Sequence, residues 1–482
     1  MDKTANGIES YDVAIIGAGV CGASIARTLS RYKIRVALLE KEVDVSFGTS
    51  KANSGIVHGG FHHPGKYLKS RLEIEGAAQF DRLRRELGFP FTRCGILVAA
   101  LHPDEMLAVE HLYRQGRENG APGIELCSRE RILELEPKLS PEVIGGLYAP
   151  SGGIVESYRF VFSMVESAKK NGVELFASFQ VSGAQRSGEE WVLQSADGRT
   201  LRTRYAVNAA GLFADEVSRC FGAESFEISA RKGEYFLLDR LAPCRPERVV
   251  FPVPSSVSKG MLVIPTVEGT TLIGPTADIV DDKTDVSTTA EKLALITASA
   301  RSLVPSVSER DVITSFAGLR PVLGEDFYID FSAKVPALVH VAGIQSPGLT
   351  ASPAIGEYVK NLLLRDGLEL SEDSSWDPYL PSPVKVRALA AAERSRLIAE
   401  NPSYGNIVCR CEEISEGEIV DAIRRGHTTL DGVKFYTRAQ MGRCQGGFCS
   451  YKIIKLIMRE TGMTWDQVTK RGGSSFVLEG EL

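Results

Sequence analysis

The sequence predicts an α/β protein: a Rossmann-like nucleotide-binding domain, interrupted by an inserted mixed-sheet substrate domain and followed by a separate C-terminal module. Three observations carry this expectation. The chain opens on an apolar run that ends in Gly17-x-Gly19-x-x-Gly22 and leads into a helix-spaced stretch. The same strand–glycine–helix texture returns at 337–364, with strand-rich sequence in between. Beyond 371 the chain becomes polar and proline-bearing, and then gathers four of its nine cysteines.

The opening elements form a βαβ unit. "YDVAIIGAGV" (11–20) is a buried strand, "CGASIARTLSRY" has helical spacing with Ala23, Ala26 and Leu29 near one face, and "IRVALLE" (34–40) is a second buried strand. Residues 67–87 read as one long amphipathic helix, and 90–155 as short strands and helices. Residues 189–211 read as a hairpin turning at Asp197-Gly198. The stretch 225–315 holds several strands and one helix, "AEKLALITASARSL". The polar run "SEDSSWDPYLPSP" reads as a linker, and a helical stretch follows it.

Composition narrows the class. A chain of 482 residues holds two or three domains at roughly 100–200 residues each. Apolar residues at 43% and charged residues at 24% describe an ordinary soluble protein with a sizeable core. A net charge of −5, without a dense Lys/Arg run, argues against nucleic-acid binding. "MDKTANGIES" lacks a secretory apolar region, and no stretch reaches the ~18 apolar residues of a membrane span. The expectation is a cytoplasmic protein, with peripheral membrane association through a partner left open. Cys21, Cys94, Cys127, Cys220 and Cys244 stand singly and read as small buried residues in a reducing compartment.

The glycine turn has a specific chemistry. Gly17 permits the tight turn, Gly19 lets backbone approach a pyrophosphate, and Gly22 allows close helix–strand packing. The helix N-terminus offers free N–H groups to phosphate. Glu40 lies 18 residues after Gly22, at the end of the second strand, where it accepts from ribose hydroxyls. FAD and NAD both use this cradle. Small-residue turns at "VNAAGLFADE" (207–216) and "GIQSPGLTASPAIG" (343–356) favour FAD, because NAD domains rarely need such late returns.

Together, "AIIGAGVCGASIARTLSRY", "GTSKANSGIVHGGF", "VNAAGLFADE" and "GIQSPGLTASPAIG" resemble the FAD-dependent D-amino-acid oxidase superfamily over about residues 10–365. Within it the chain is similar to the branch of glycerol-3-phosphate dehydrogenases and L-2-hydroxyglutarate oxidases. The resemblance implies that FAD is held by Gly17, Gly19, Gly22, Glu40, Ser50, Gly59, Gly60, Ala210, Gly211, Gly343, Gly348, Leu349 and Thr350. It also implies a discontinuous FAD domain (10–85, 150–225 and 316–368), a substrate domain (86–149 and 226–315), a linker (369–404) and a C-terminal domain (405–482).

In the C-terminal module, Cys409-x-Cys411 and Cys444-x4-Cys449 form a four-thiolate set separated by 32 residues. Zinc sites favour C-x2–4-C pairs, which the first pair does not match, although zinc and a ligand-free role stay open. The module is similar to the small helical bacterioferritin-associated-ferredoxin-like domain, which implies a [2Fe–2S] cluster on Cys409, Cys411, Cys444 and Cys449. "QGGF" before Cys449 suits a tight loop whose N–H groups approach the sulfurs. Flavin takes two electrons from a substrate and such a cluster passes them singly. The fusion therefore implies an electron-acceptor protein, a flavoprotein or a quinone-linked subunit.

The segment "KANSGIVHGGFHHPGKYLKSRL" (51–72) resembles the loop beside the flavin ring, and the Gly59-Gly60 pair permits close approach. Three of seven histidines, His58, His62 and His63, lie within six residues there. Oxidising an alcohol needs a base for the hydroxyl proton, and His58, then His62, fits that task. For His58 a purely structural hydrogen bond is the competing role, and for His63 a surface role is favoured. Arg320, in "FAGLRPVLGEDF", is by resemblance the residue that binds the substrate anion, a structural salt bridge being the alternative. Lys232 and Tyr235 are weaker candidates, and Lys69 equally suits a solvent-facing role.

The expected activity is oxidation of a small anionic secondary alcohol, first sn-glycerol 3-phosphate and second L-2-hydroxyglutarate. His62-His63 stand where membrane-type glycerol-3-phosphate dehydrogenases commonly carry Arg-Tyr, which favours the second, while the cluster fusion favours the first. An amino-acid or opine oxidase and a non-catalytic electron-transfer subunit are the further alternatives.

Overall fold

The computed structural model describes residues 9–254 and 260–478, so the first eight residues of the N-terminal reading lie outside it. The chain divides into two compact units, one reaching Leu380 and one formed by Pro381–Leu482 with the short segment Glu42–Asp44.

The first unit contains two large sheets. The eight-stranded sheet runs Val181–Ser187, Glu190–Ser195, Thr200–Asn208, Ser10–Ile16, Val36–Leu39, Glu174–Phe176, with Leu338–Ala342 and Tyr328–Phe331 added beside Thr200–Asn208. Its centre is parallel, with Val13 opposite Val36, and Ala206 between Ala14 and Leu338. Val13, Ala14 and Ile15 are fully buried, which is why this strand reads as an unbroken apolar run. The first helix, Val20–Leu29, buries Ala23, Ala26 and Leu29. The hairpin at Asp197-Gly198 joins Glu190–Ser195 to Thr200–Asn208.

The nine-stranded sheet draws strands from two distant stretches. Its order is Asp278–Val280, Ser229–Leu238, Thr271–Gly274, Leu262–Pro265, Val249–Pro252, Ile96–Ala100, Gly145–Ala149, Glu125–Ser128. Helix Ala290–Leu303 lays Ile296, Ala300 and Leu303 on a core with Val263 and Ile273. The eleven-residue strand Val312–Val322 pairs antiparallel with Ser229–Leu238 from Val312 opposite Leu238 to Val322 opposite Ser229. Arg320 therefore stands on the nine-stranded sheet, whereas the sequence assigned residue 316 onward to the nucleotide domain. An antiparallel pairing along its whole length, with one register shift at Leu237/Leu238, holds the strand on the earlier sheet.

Two further expectations change. The long helix of 67–87 is two helices, Leu68–Ala77 and Phe80–Leu87. They bury against different partners: Gly76 meets Thr350 and Ala351, while Phe80 packs with Phe89, Phe91 and Phe160. The start of the expected linker is fastened down. Lys33 N–H donates to the Ser371 carbonyl at 2.9 Å, Trp376 Nε1 to Ser30 Oγ at 3.3 Å, and Leu380 N–H to the Glu86 carbonyl at 2.8 Å. Among the described residues no helix is long and apolar enough to cross a membrane.

The second unit is small and mostly helical. A short hairpin, Ile407–Cys409 with Ile414–Ser415, precedes helices Glu416–Arg424, Leu430–Thr437 and Ser450–Thr461. Ile419, Val433, Ile453 and Ile457 are its fully buried centre. Ser415 and Glu418 form a capping box: Ser415 Oγ accepts from Glu418 N–H, and the Glu418 carboxylate accepts from Ser415 N–H at 2.9 Å.

Candidate active site and redox centre

The glycine turn is built by close backbone contact. Gly17 has φ +105°, and a side chain there would lie 2.5 Å from the Ala209 carbonyl oxygen and 3.1 Å from Ala210 Cα. The turn of 207–216, with Ala210 and Gly211, therefore abuts the first one. A Cβ on Gly22 would lie 1.9 Å from the Gly17 carbonyl oxygen. Gly19 meets only the Ser50 hydroxyl, at 3.2 Å, so its outer side is open to an approaching group. Ser50 Oγ accepts from Val20 N–H at 2.9 Å, and buried Glu40 accepts from Ala18 N–H at 2.8 Å. Both side chains expected to serve the cofactor thus also shape the turn. A backbone cradle over a helix N-terminus with a carboxylate at the next strand end fits the adenosine diphosphate half of FAD.

The third turn supplies the floor of the histidine loop. Gly343 follows strand Leu338–Ala342, and Gly348, Leu349 and Thr350 form the first turn of helix Gly348–Arg365. Thr350 is fully buried, and its hydroxyl is used twice by the protein. It accepts from His58 N–H at 3.0 Å and donates to the Ile56 carbonyl at 3.3 Å. His58 Nε2 lies 3.2 Å from Ser346 Oγ on the same turn. His58 is 8% exposed, and its ring stands edge-on to His62 at 5.6 Å. His62 lies 4.1 Å from Phe61 and 5.0 Å from Phe251 of the nine-stranded sheet. The His63 carbonyl accepts from Asn119 at 2.8 Å. The space a side chain would need at Gly59 is held by Ala149, and at Gly60 by Ile74, so protein packing already demands both glycines.

Arg320 lies opposite Arg231, with Gly233 opposite Gly318 and Tyr235 opposite Phe316 on the same face. Tyr235 stacks on Phe316 at 4.8 Å, and its hydroxyl lies 3.1 Å from Ser54 Oγ. A Cβ on Gly318 would lie 1.9 Å from the Ala52 carbonyl oxygen, and Thr49 donates to the Leu319 carbonyl at 2.6 Å. Segment 49–63 thus touches the Arg320 strand at one end and carries the histidines at the other. Arg320 donates to the Thr276 carbonyl at 3.3 Å and has no carboxylate partner among the described residues. Burial draws its guanidinium below the usual value, the Tyr235 phenol opposes this, and Arg231 adds to it. Lys232, by contrast, pairs with Asp285 at 2.7 Å, and Lys69 is buried against the Glu325 carbonyl. Sequence reading passed over Glu73, Ser346 and Phe251, which approach this loop from elements remote in the chain.

In the second unit the thiols associate two and two, Cys409 with Cys449 and Cys411 with Cys444. A hydrogen bond from Cys449 draws the Cys409 thiol below its usual value, and Cys449 is correspondingly raised. Cys444 is lowered, first by the Phe448 N–H and further by Cys411 and the Gly446 N–H. Cys409 and Cys449 are buried, Cys411 is exposed and Cys444 is half-buried. Among the described residues, no three His, Cys, Asp or Glu side chains converge to hold a single metal ion. Four soft donors in two pairs, with N–H groups aimed at sulfur, fit a binuclear centre with two thiolates per iron.

A nucleotide cradle, a histidine loop under a second sheet and a four-thiolate module define a flavin-dependent oxidoreductase with an iron–sulfur domain. The chain belongs to the FAD dependent oxidoreductase family, matched over residues 12–362, and residues 407–459 match the BFD-like [2Fe-2S] binding domain. Its cofactors are accordingly FAD and a [2Fe–2S] cluster. The chain is 42% identical to a glycerol 3-phosphate dehydrogenase of Caloramator mitchellensis, over 98% of both chains. It is 30% identical to a glycerol 3-phosphate oxidase of Mycoplasma pneumoniae, over 77% of this chain and 98% of that one. The FAD-bound L-alpha-glycerophosphate oxidase structure from that organism matches with a TM-score of 0.75 at 29% identity, covering 78% of this chain and all of that one. Human mitochondrial L-2-hydroxyglutarate dehydrogenase is 26% identical over 73% of this chain and 88% of its own.

Proposed function

We propose that the chain dehydrogenates sn-glycerol 3-phosphate to dihydroxyacetone phosphate and passes the electrons through its cluster to a protein acceptor. The observation that carries this reading is the 42% identity with a glycerol 3-phosphate dehydrogenase over 98% of both chains, a span that includes the cysteine module. When bound, FAD supplies the acceptor for a hydride from the carbinol carbon, and the [2Fe–2S] cluster supplies one-electron transfer. His58 Nε2, beside Ser346 Oγ, takes the hydroxyl proton, with His62 as the alternative base. Arg320, half-buried and without a carboxylate partner among the described residues, offers its fork to the phosphate. The apolar walls at Phe61 and Phe251 exclude water from the histidine side.

Anaerobic bleaching of the flavin tests this, with glycerol 3-phosphate, L-2-hydroxyglutarate, lactate, glycine and proline as the panel. Glycerol 3-phosphate should bleach it fastest. Bleaching by hydroxyglutarate alone would promote the second reading, which the 26% identity to human L-2-hydroxyglutarate dehydrogenase supports. Stopped-flow absorbance after substrate addition tests the relay. The cluster should bleach after the flavin, and a Cys409→Ser protein that keeps its flavin should lose that second phase.

A further inference from the structure

We infer that Glu73 is a positioning residue for His58, one jaw of a two-sided clamp whose other jaw is Thr350. The inference rests on the proposed role of His58 as base. His58 and Gly60 are two residues apart on one tight turn, and each commits its backbone N–H to a buried side chain on a different helix. His58 N–H donates to Thr350 Oγ1 at 3.0 Å, and Gly60 N–H donates to Glu73 Oε1 at 2.7 Å. Thr350 is fully buried and Glu73 is 1% exposed, so neither bond competes with water. A carboxylate is costly to bury and is retained where it is hydrogen-bonded.

The two helices are themselves locked at the same level. A Cβ on Gly76 would lie 2.1 Å from the Thr350 carbonyl oxygen and 3.0 Å from Ala351 Cα. Glu73 and Gly76 are three residues apart, on neighbouring positions of one helix face. Helix Leu68–Ala77 is also held at its start, because Asp326 accepts from Leu68 N–H at 2.6 Å and from Lys69 N–H at 3.0 Å. That aspartate follows the Arg320 strand by four residues. The turn bearing His58 is thus gripped from two helices whose spacing is fixed by a glycine contact and whose register is tied to the loop after the Arg320 strand. With φ +82° at Gly60 and Ile74 3.0 Å from its missing Cβ, the turn has little room to settle elsewhere.

The test compares full-length holoprotein carrying Glu73→Leu, which removes the acceptor, with Glu73→Gln, which keeps an acceptor oxygen. Two readouts are taken: the limiting rate of anaerobic flavin reduction by glycerol 3-phosphate, and amide hydrogen exchange of peptides spanning 56–63. Glu73→Leu should slow flavin reduction by roughly 100-fold at saturating substrate, as expected for an ångström-scale misplacement, while the half-saturating concentration moves less than about 3-fold. It should also lose exchange protection in 56–63 and keep it in the second unit. Glu73→Gln should stay within about 3-fold of the parent in both. A Glu73→Leu protein that matches the parent in rate or protection overturns the inference, as does a Glu73→Gln protein as impaired as Glu73→Leu. If Glu73→Leu does not fold, Glu73→Met, which is closer in length and also lacks the carboxylate acceptor, replaces it against Glu73→Gln by the same criteria. A parent flavin untouched by every alcohol in the panel sinks the proposed function, while the exchange comparison still decides the clamp.

Discussion

Replacing Gly22 with alanine should uncouple this protein from its flavin, and the structure sets the size of the effect. The new Cβ would lie 1.9 Å from the Gly17 carbonyl oxygen, where a tolerable contact needs at least 3.0 Å, so something must move by 1.1 Å or more. Gly17 cannot be what moves. Its N–H donates to the Leu39 carbonyl at 2.7 Å, and a Cβ on it would already lie 2.5 Å from the Ala209 carbonyl oxygen. The start of helix Val20–Leu29 must therefore back away, taking with it the N–H groups that the expected cradle offers to the pyrophosphate. A displacement of about 1 Å breaks hydrogen bonds to a charged group worth about 1.5–3 kcal/mol each. Losing one or two of them costs about 1.5–6 kcal/mol, or roughly 10- to 20,000-fold in FAD affinity. Titrating apoprotein with FAD by flavin fluorescence measures this, with thermal unfolding followed separately. Gly19→Ala should leave the turn itself intact, because its Cβ meets only the Ser50 hydroxyl at 3.2 Å, and should weaken FAD binding by filling the side left open to the pyrophosphate. Gly183→Ala, whose Cβ finds Gln194 at an ordinary 3.8 Å, should bind FAD like the parent. A Gly22→Ala protein with parental affinity would refute the reasoning.

On the proposed pairing with the substrate phosphate, Arg320→Ala should lower kcat/KM for glycerol 3-phosphate by roughly 30- to 4,000-fold, chiefly through KM, since truncating one partner of a charge pair costs about 2–5 kcal/mol. Steady-state kinetics with an artificial acceptor measures it, and a change under 3-fold would remove Arg320 from the site. Glu224→Gln should change the acid limb of stability. Burial raises the Glu224 carboxyl, but its own backbone N–H, Ser332, His340 and the Ala333 N–H outweigh this and hold it at about 2. A lowered carboxyl contributes stability above its unfolded value and loses it as pH falls through the folded one. The parent's advantage over Glu224→Gln should therefore shrink from pH 4.5 to about 2 in thermal melts, and an unchanged gap would contradict the assignment. Trp376→Ala should lower the stability of the first unit by about 1–3 kcal/mol in denaturant melts, through loss of packing under the Arg27 guanidinium at 5.5 Å and of the bond to Ser30. A melt identical to the parent's would mean that residues 371–380 are not fastened there in solution.

What was legible in the sequence was what the chain decides locally. The strand of 10–16 is buried on both faces, so its apolar run needs no tertiary information to be read. The Gly17-x-Gly19-x-x-Gly22 spacing and the Cys-x-Cys and Cys-x4-Cys spacings are visible in short stretches of chain, although Gly17 packs on the distant Ala209 and the thiols associate across the two motifs. The helix break at Ala78–Gln79 was not legible, because two helices with different partners share one apolar periodicity across the junction. Nor was the sheet to which Arg320 belongs. A strand of eleven residues carries no mark of which partner accepts its hydrogen bonds, and only the register against Ser229–Leu238 decides it.

The histidine loop marks the limit most sharply. Its residues advertise themselves by composition, three histidines and two glycines in six positions, yet nothing in that composition says what holds them. The holding groups are a glutamate 13 residues later and a threonine 292 residues later. In sequence, Glu73 is one more acid on an amphipathic helix, and Thr350 one more small residue in a glycine-rich turn. Each acquires its role because helix–helix contact at Gly76 carries it to the loop. Chemistry-bearing residues are chosen for what they can do and stand out by type. Residues that position them are chosen for where they sit, and ordinary types serve. Sequence therefore offers candidates for the base and the anion fork, whereas the contacts that hold one histidine among three in a fixed place are written across distant parts of the chain.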